Sequence, residues 1–578
     1  MQSKTSLFSR AIIGQNIRSV TWLSVLYTII LLFAYPVAML TIISNEYSSN
    51  TGEDLANYMQ FGSFGTSVFL LIVPLIFSIV LFRYLHTPLA SDYLHSLPFK
   101  RDTHFISNFI CGLVGLIAPL IISSISILLV VSLNGYSDAV GTSDVLVWMA
   151  TNILGHVLFY IIATFVLMIT GLTFVNIVLY FIFIFYPFFI TLLAISNMRH
   201  SILGFPMEYY IEESFEYLLY IATFVQAYTS PFTLGEWLTF SFMAAVLFAL
   251  TWLAYRIRPL EVATQSIAFS ALRPVILYGI TFFFTLMFGA FFFETNGKDS
   301  WAYFGYVTGS FLGFTITEMV LQKSWRIGKS FRKLGVYMLV VVAMVIGLKL
   351  DITGFEGRVP EASEVKRVWF SEDQWAYQEF KRFEQNESEF YQMNINQVGS
   401  QFYAQPENVE AIVQLHEKIL SENLAREYDR NYRPDDFRLF IIYELENGNV
   451  QSRLYTVPEK VVSEMLSPVL ESSETKDMVD YFTDLEEKDY KLSDVRIGYP
   501  NGNSKFVSND AEISSLLNAI QNDSDNLKGE NRFVEPGYAS NYYLEVTFKK
   551  KYKTQHTIYL EVYDSYKDTK KWIENFTN

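Results

Sequence analysis

The stretch TWLSVLYTIILLFAYPVAMLTII, residues 21–43, carries no Asp, Glu, Lys or Arg. Hydrocarbon offers no water to backbone N–H and C=O groups, so an apolar run of about 20 residues must close its own hydrogen bonds as a helix. The run is longer than the apolar core of a secretory signal, and no small-residue cleavage site follows it, so it reads as an uncleaved first span. Similar runs lie near residues 65–85, 108–133, 145–169, 174–196, 237–255, 274–293, 301–321 and 334–350, which predicts a polytopic α-helical membrane protein of about nine transmembrane helices. Pro36, Pro74, Pro119 and Pro187 fall inside these runs and are expected to kink their helices.

Outward from these runs the composition segregates. The chain is 51% hydrophobic and 17% aromatic. Residues 1–350 hold 17 Lys+Arg and 16 Asp+Glu, against 26 and 42 in residues 351–578. The formal charge of -15 therefore resides in the tail. The tail reads as an acidic folded domain, which excludes nucleic acid as a partner. Ordinary solubility and attraction of cationic ligands both account for its acidity. The single cysteine, Cys111, lies in an apolar run, so no disulfide within the chain and no thiolate metal site is expected.

Basic residues are retained on the cytoplasmic side, and the loops alternate accordingly. Lys4, Arg10 and Arg18 precede the first span, Arg83, Lys100 and Arg101 follow the second, Arg256, Arg258 and Arg273 follow the sixth, and Lys323, Arg326, Lys329, Arg332 and Lys333 follow the eighth. The intervening loops are acidic, with Arg199 and Lys298 as basic exceptions. This alternation predicts a cytoplasmic N-terminus, membrane lipid around the spans, and an extracytoplasmic tail. Between the fifth and sixth spans, EYLLYIATFVQAYTSPF (residues 216–232) is apolar but short. It is read as a re-entrant or interfacial hairpin, with two further crossings as the alternative.

From residue 351 the pattern changes to short strands and amphipathic helices, and it occurs twice. The first copy comprises a strand at 366–370, a helix near 408–424, a hairpin over 438–457 turning at Asn447-Gly448, and a helix at 459–466. The second comprises a strand at 495–499, a helix near 510–521, a hairpin over 541–562 turning near Lys550, and a helix at 567–576. Leu544, Val546 and Phe548 alternate with Tyr543, Glu545 and Thr547, which assigns the first set to a buried face. The tail is therefore expected to be an α+β domain of two similar halves.

The segment RYLHTPLASDYLHSLPFKRDTHF, residues 83–105, lies between the second and third spans. Thr87 is placed to cap a helix whose first residue is Pro88; Leu89, Tyr93, Leu94 and Leu97 give it an apolar face, and Pro98 ends it. Asp102 is placed to cap the next membrane helix, with Lys100 and Arg101 at the cytoplasmic surface. Here the chain resembles the permease subunits of ABC-2-type bacterial ATP-binding-cassette transporters, in which an acidic residue followed by Ser-Leu-Pro, a hydrophobic residue and an Arg precedes the third span. The matching residues are Asp92, Ser96, Leu97, Pro98, Phe99, Lys100 and Arg101. An amphipathic N-terminal segment (1–20), six spans (21–258) and an outer hairpin before the last of them are similar to the same family. Three additional spans (259–350) and the tail (351–578) depart from it.

The resemblance implies that residues 88–97 form a coupling helix seated on a separate cytoplasmic ATPase subunit. It also implies a second permease copy or paralogue that completes the pathway in a bacterial plasma membrane. The segment chemistry alone fits equally an interfacial helix resting on headgroups. Within the membrane, Asn152 and His156 lie one turn apart on the fourth span, as either a contact of the translocation path or an interhelical hydrogen bond. Glu318 is expected to snorkel toward the inner face.

No nucleotide, metal or cofactor site is read in the chain. Gly328-Lys329-Ser330 lacks the earlier glycine of a phosphate-binding loop, since Lys323 stands there, and His416-Glu417 lacks a second histidine, since Leu420 stands there. The tail's histidines, His416 and His556, form no recognisable catalytic constellation, so enzymatic activity in this chain is not expected. The leading expectation is a permease subunit of an ATP-driven exporter. The alternative is a membrane-anchored sensor or accessory protein with a ligand-binding extracytoplasmic domain.

Overall fold

A computed structural model describes residues 10–45, 51–61, 63–97, 99–218, 224, 232–372, 374, 377, 381, 391–394, 401–425, 436–475, 491–500, 502–507, 509–526, 542–549, 555–562 and 566–577. Among them, nine helical segments are long and apolar enough to cross a membrane, from Ile12–Ile43 to Gly328–Lys349. The chain divides into two compact units. One comprises Met1–Leu193, Ser214–Phe288 and Gly305–Met338, and the other Ala194–Glu213, Gly289–Phe304 and Leu339–Asn578.

In the first unit, α1 (Arg10–Leu32) continues through a π-helical turn at Phe33–Val37, which contains Pro36, into α2 (Ala38–Ile43). Residues 10–20 are thus the start of the first long helix. There follow α3 (Thr51–Phe61), α4 (Ser63–Phe82), the short α5 (Pro88–Ser96), α6 (Arg101–Leu133), α7 (Thr142–Ile169) and α8 (Thr173–Ser201). Then come α9 (Met207–Leu218), α10 (Leu234–Ile257), α11 (Leu272–Asn296), α12 (Asp299–Gln322) and α13 (Phe331–Lys349). Apart from Phe224 and Phe232, the expected hairpin at 216–232 lies outside the described residues beyond α9.

Helix α7 is apolar on all sides and is the most enclosed, burying Trp148, Phe159 and Tyr160 among others, as a helix surrounded by helices requires. It packs against α4, α6 and α10, while α1 lies along α6. Helices α11, α12 and α13 are joined by a hydroxyl cluster in which Thr285 Oγ1 is 2.9 Å from Ser310 Oγ and 2.8 Å from Tyr337 Oη. Glu318 is enclosed by protein. It is 3% exposed, 3.5 Å from Lys333 Nζ, and accepts from Gln322 Nε2 at 2.7 Å, because a carboxylate kept among helices needs a partner of opposite charge.

The second unit contains two sheets. The first has the order β3-β1-β4-β5, from β1 (Val365–Ser371), β3 (Gln401–Tyr403), β4 (Asp436–Leu445) and β5 (Val450–Pro458). Helices α14 (Pro406–Ser421) and α15 (Glu459–Leu470) pack together, and their apolar residues share one core with the inward side of this sheet. The second sheet has the order β2-β9-β8-β6-β7, from β2 (Tyr391–Asn394), β6 (Lys491–Gly498), β7 (Ser504–Val507), β8 (Tyr542–Lys549) and β9 (Gln555–Val562). It shares a core with α16 (Asp510–Asn526) and α17 (Lys567–Thr577). All pairings are antiparallel except β2 with β9. The expected two-fold pattern is thus present as two β-β-α-β-β-α units. Gly448 takes the positive φ of +83° that the Asn447-Gly448 turn requires. Leu544, Val546 and Phe548 are buried, but so is Thr547.

The other face of the first sheet is covered from within the same unit. Tyr209 packs with Trp369, Tyr377, Phe440 and Ile442, Leu454 N–H donates to Gly204 O at 3.0 Å, and Tyr209 N–H donates to Gln374 Oε1 at 3.2 Å. The segment that follows α8 is thereby part of the tail's fold. Lys349–Asp299 at 2.7 Å and Arg199–Glu294 at 3.7 Å join the adjoining helix ends.

Candidate functional site

The segment between α4 and α6 is built as its residues dictate. Arg83–His86 forms a 3-10 turn, and Thr87 is extended (φ -118°, ψ 113°), as a residue before proline must be. Pro88 supplies the preset φ of the first helical position and lacks only an N–H that would have no intrahelical partner there. Thr87 occupies the N-cap, but its side chain makes no capping bond; its carbonyl instead accepts from Ser91 N–H at 2.9 Å. Leu97 is again extended, which ends α5.

The face α5 presents differs from the one expected. Leu89 is 85% and Tyr93 66% exposed, and Asp92 and Ser96 are exposed beside them. Spacings of three, four and seven residues place these four on one side of the helix. Leu94 and Leu97 are half-buried, and Ser91 is buried. His95 Nδ1–H donates back to Ser91 O at 2.8 Å, and its ring lies 6.0 Å from that of Tyr84 and 6.2 Å from that of His104. Burial lowers the His95 pKa below its ordinary value. An exposed Leu and Tyr on a short, seated helix leave apolar area to be covered. Pro98 lies outside the described residues.

Four residues fix the start of α6, just beyond this helix. Asp102 does not cap α6, whose N-cap is Lys100. Its carboxylate accepts from Arg256 Nε at 2.8 Å, Arg256 Nη2 at 2.7 Å and Trp252 Nε1 at 2.9 Å. The Arg256 guanidinium also lies 4.1 Å over the Trp252 ring. Arg101 donates to Arg256 O and Arg258 O, both at 3.0 Å, while Lys100 is exposed. The start of α6 is therefore clamped to the end of α10 by a bidentate charge-assisted pair and two carbonyl contacts.

Arg258, which the sequence marked only as one of several basic loop residues, is the most enclosed of these cations at 3% exposed. It donates to Leu167 O at 3.1 Å, to Met168 O, and to Leu85 O at 3.1 Å. Burial lowers its pKa to about 10, which leaves it charged at neutral pH. A cation against the unpaired carbonyls that end a helix is favoured by the helix dipole. His86 adds bonds to Thr173 Oγ1 at 3.1 Å and Leu167 O at 3.4 Å. The ends of α4, α7 and α10 and the starts of α6 and α8 thus meet in one polar knot.

The chain beyond α10 belongs to it. Thr264 N–H donates to Gly171 O and Ala268 N–H to Ile169 O, both at 2.8 Å. A Cβ on Gly171 would lie 2.2 Å from Val262 O, so this approach requires glycine. Ser266 Oγ donates to Val320 O at 2.8 Å, and Lys323 Nζ contacts Thr264 O.

Asn152 and His156 are buried within α7. His156 Nε2 is 2.7 Å from Tyr27 Oη of α1, its Nδ1–H donates to Asn152 O at 2.8 Å, and Asn152 Nδ2 donates to Trp148 O at 2.9 Å. The histidine is an interhelical hydrogen-bonding group, and its partner was not legible because Tyr27 lies far away in sequence. Among the described residues no group of three His, Cys, Asp or Glu is placed to hold a metal ion. No protein-family model, curated protein or solved structure matches the chain.

Proposed function

We propose that the chain is the membrane-spanning permease subunit of an ATP-driven transporter, an exporter, in which α5 is the contact for a separate cytoplasmic ATPase. The observation that carries this reading is the pairing of an exposed face, Leu89, Asp92, Tyr93 and Ser96, with a clamped base at Arg101, Asp102, Arg256 and Arg258. A lever must offer a surface to its driver and be rigid where it joins the load. Force on α5 passes at its base to α4, α6, α7, α8 and α10 together. Hydrolysis belongs to the partner, and the resemblance of residues 92–101 to ABC-2 permeases supports a second permease copy or paralogue beside it. On this reading the basic knot faces the cytoplasm and the tail lies outside.

The test is co-purification of the full-length protein with its cassette ATPase. Leu89→Asp combined with Tyr93→Ala should weaken the association about tenfold or more, since a few anchors, tyrosine prominent among them, carry most of an interface's energy and an introduced carboxylate would be desolvated there. Unchanged association with this variant overturns the assignment of α5.

A further inference from the structure

An apolar cavity of about 700 Å³ lies between α7, α8, α10 and α11. Ile162 and Val166 line it from α7, Phe183 from α8, Val246 from α10, and Ile276 and Gly279 from α11. Its two hydroxyls are already engaged: Tyr186 Oη donates to Gly279 O at 3.0 Å and Thr239 Oγ1 to Gly235 O at 2.8 Å. No charged side chain lines it. A polar ligand entering here would surrender its hydrogen bonds to water without replacement, so the lining selects an alkyl chain.

Access is from the side. Phe242, Val275, Phe183 and Val246 line the cavity and are also 72%, 67%, 42% and 42% exposed. All four sit in helices long and apolar enough to cross a membrane. In a bilayer their exposed flank meets acyl chains, and the cavity continues that surface inward. We propose that the cavity holds one acyl chain of a membrane lipid, which fills the joint between the six-helix part and α11, the first of the three additional helices. The inference rests on membrane insertion of these helices but not on the ATPase contact.

The experiment uses the full-length protein in nanodiscs containing a phosphatidylglycerol with a photoactivatable diazirine in one acyl chain, with labelled positions mapped by mass spectrometry. Labelling is expected at Ile162, Val166 and Ile276, inside the cavity, at least about threefold above that at Leu339, an exposed apolar residue of α13 at 71%. Val246→Trp, which fills the space, should reduce labelling at Ile162 and Ile276 to the Leu339 level; Ile276→Phe serves if that variant does not insert. Cavity labelling no greater than at Leu339 in the inserted wild-type protein overturns the proposal, as does labelling unchanged by filling. A protein that fails to insert at all would refute the membrane reading instead.

Discussion

In both halves of the tail the first strand meets the third through a register shift at corresponding places, between Val365 and Arg367 in one and between Leu492 and Asp494 in the other. That shared irregularity puts Trp369, Ile442, Phe440 and Leu454 in register with Arg496, Glu545, Tyr543 and Glu561. The first half is apolar there and binds the chain's own residues 203–210. The second half carries an Arg496–Glu545 ion pair at 3.2 Å and a Phe506 that is 58% exposed. The inward faces diverge as well. In the first core, His416 lies 3.2 Å from Tyr443 Oη and 2.9 Å from Tyr455 Oη. Strand register and helix spacing place Val546, Val562 and Ile520 at those positions in the second. At these three positions the same architecture holds a hydrogen-bonded His-Tyr-Tyr set in one half and apolar side chains in the other.

Exchanging the outer faces should break the comparison most sharply. Trp369 is fully buried, so Trp369→Arg is expected to cost about 3–5 kcal/mol and release residues 203–210 to hydrogen exchange. The reciprocal Arg496→Trp should cost less than about 1 kcal/mol by the same measurement on β6 and β8, because side-chain replacement near a sheet surface leaves no cavity.

Removing one member of the polar network tests the inner faces. His416→Ala should destabilise β4 and β5 by about 1–3 kcal/mol for each tyrosine hydroxyl left unpaired, whereas His416→Leu with Tyr443→Phe and Tyr455→Phe should cost much less. Burial first, and then the nearby Arg453 cation, lower the His416 pKa from 6.5 to about 3. The unfolded chain therefore binds the extra proton first. This contribution is fully present above pH 6.5 and is lost at up to about 1.4 kcal/mol per pH unit as pH falls toward 3. The protection of β4 and β5 amides, corrected for the intrinsic pH dependence of exchange, should fall through that window in the wild type, and less so in the triple variant. The smallest effect is expected from Glu545→Gln: with side chains 38% and 20% exposed, the Arg496 pair should contribute less than about 1 kcal/mol to β8 protection.

Much of this organisation was legible from the sequence, where the signal is local. Apolar length gives the membrane-length helices, Asn447-Gly448 gives a hairpin, and the alternation at 544–548 gives a strand. Strands β2, β3 and β7 escaped because three or four residues hold too little periodicity, and their place is set by neighbours remote in sequence. The site was legible only as a short helix. Leu94 and Leu97 look as apolar as Leu89, and only packing decides which of them turns outward. Asp102 has the chemistry of a cap, but Arg256 and Trp252 compete for its oxygens and win because two guanidinium bonds outweigh one to a backbone amide.

Strand β2 pairs in parallel with β9, from Tyr391 opposite His556 to Asn394 opposite Tyr559. During biosynthesis, residues made within the first half must wait for the last of the described strands before their backbone groups find that edge. A premature stop before Gln555 would deprive both β2 and β8 of their common neighbour, leaving two open edges on a half-built sheet. Contacts between segments so distant in sequence form slowly, and until this one closes the unpaired strand edges are open to misassociation.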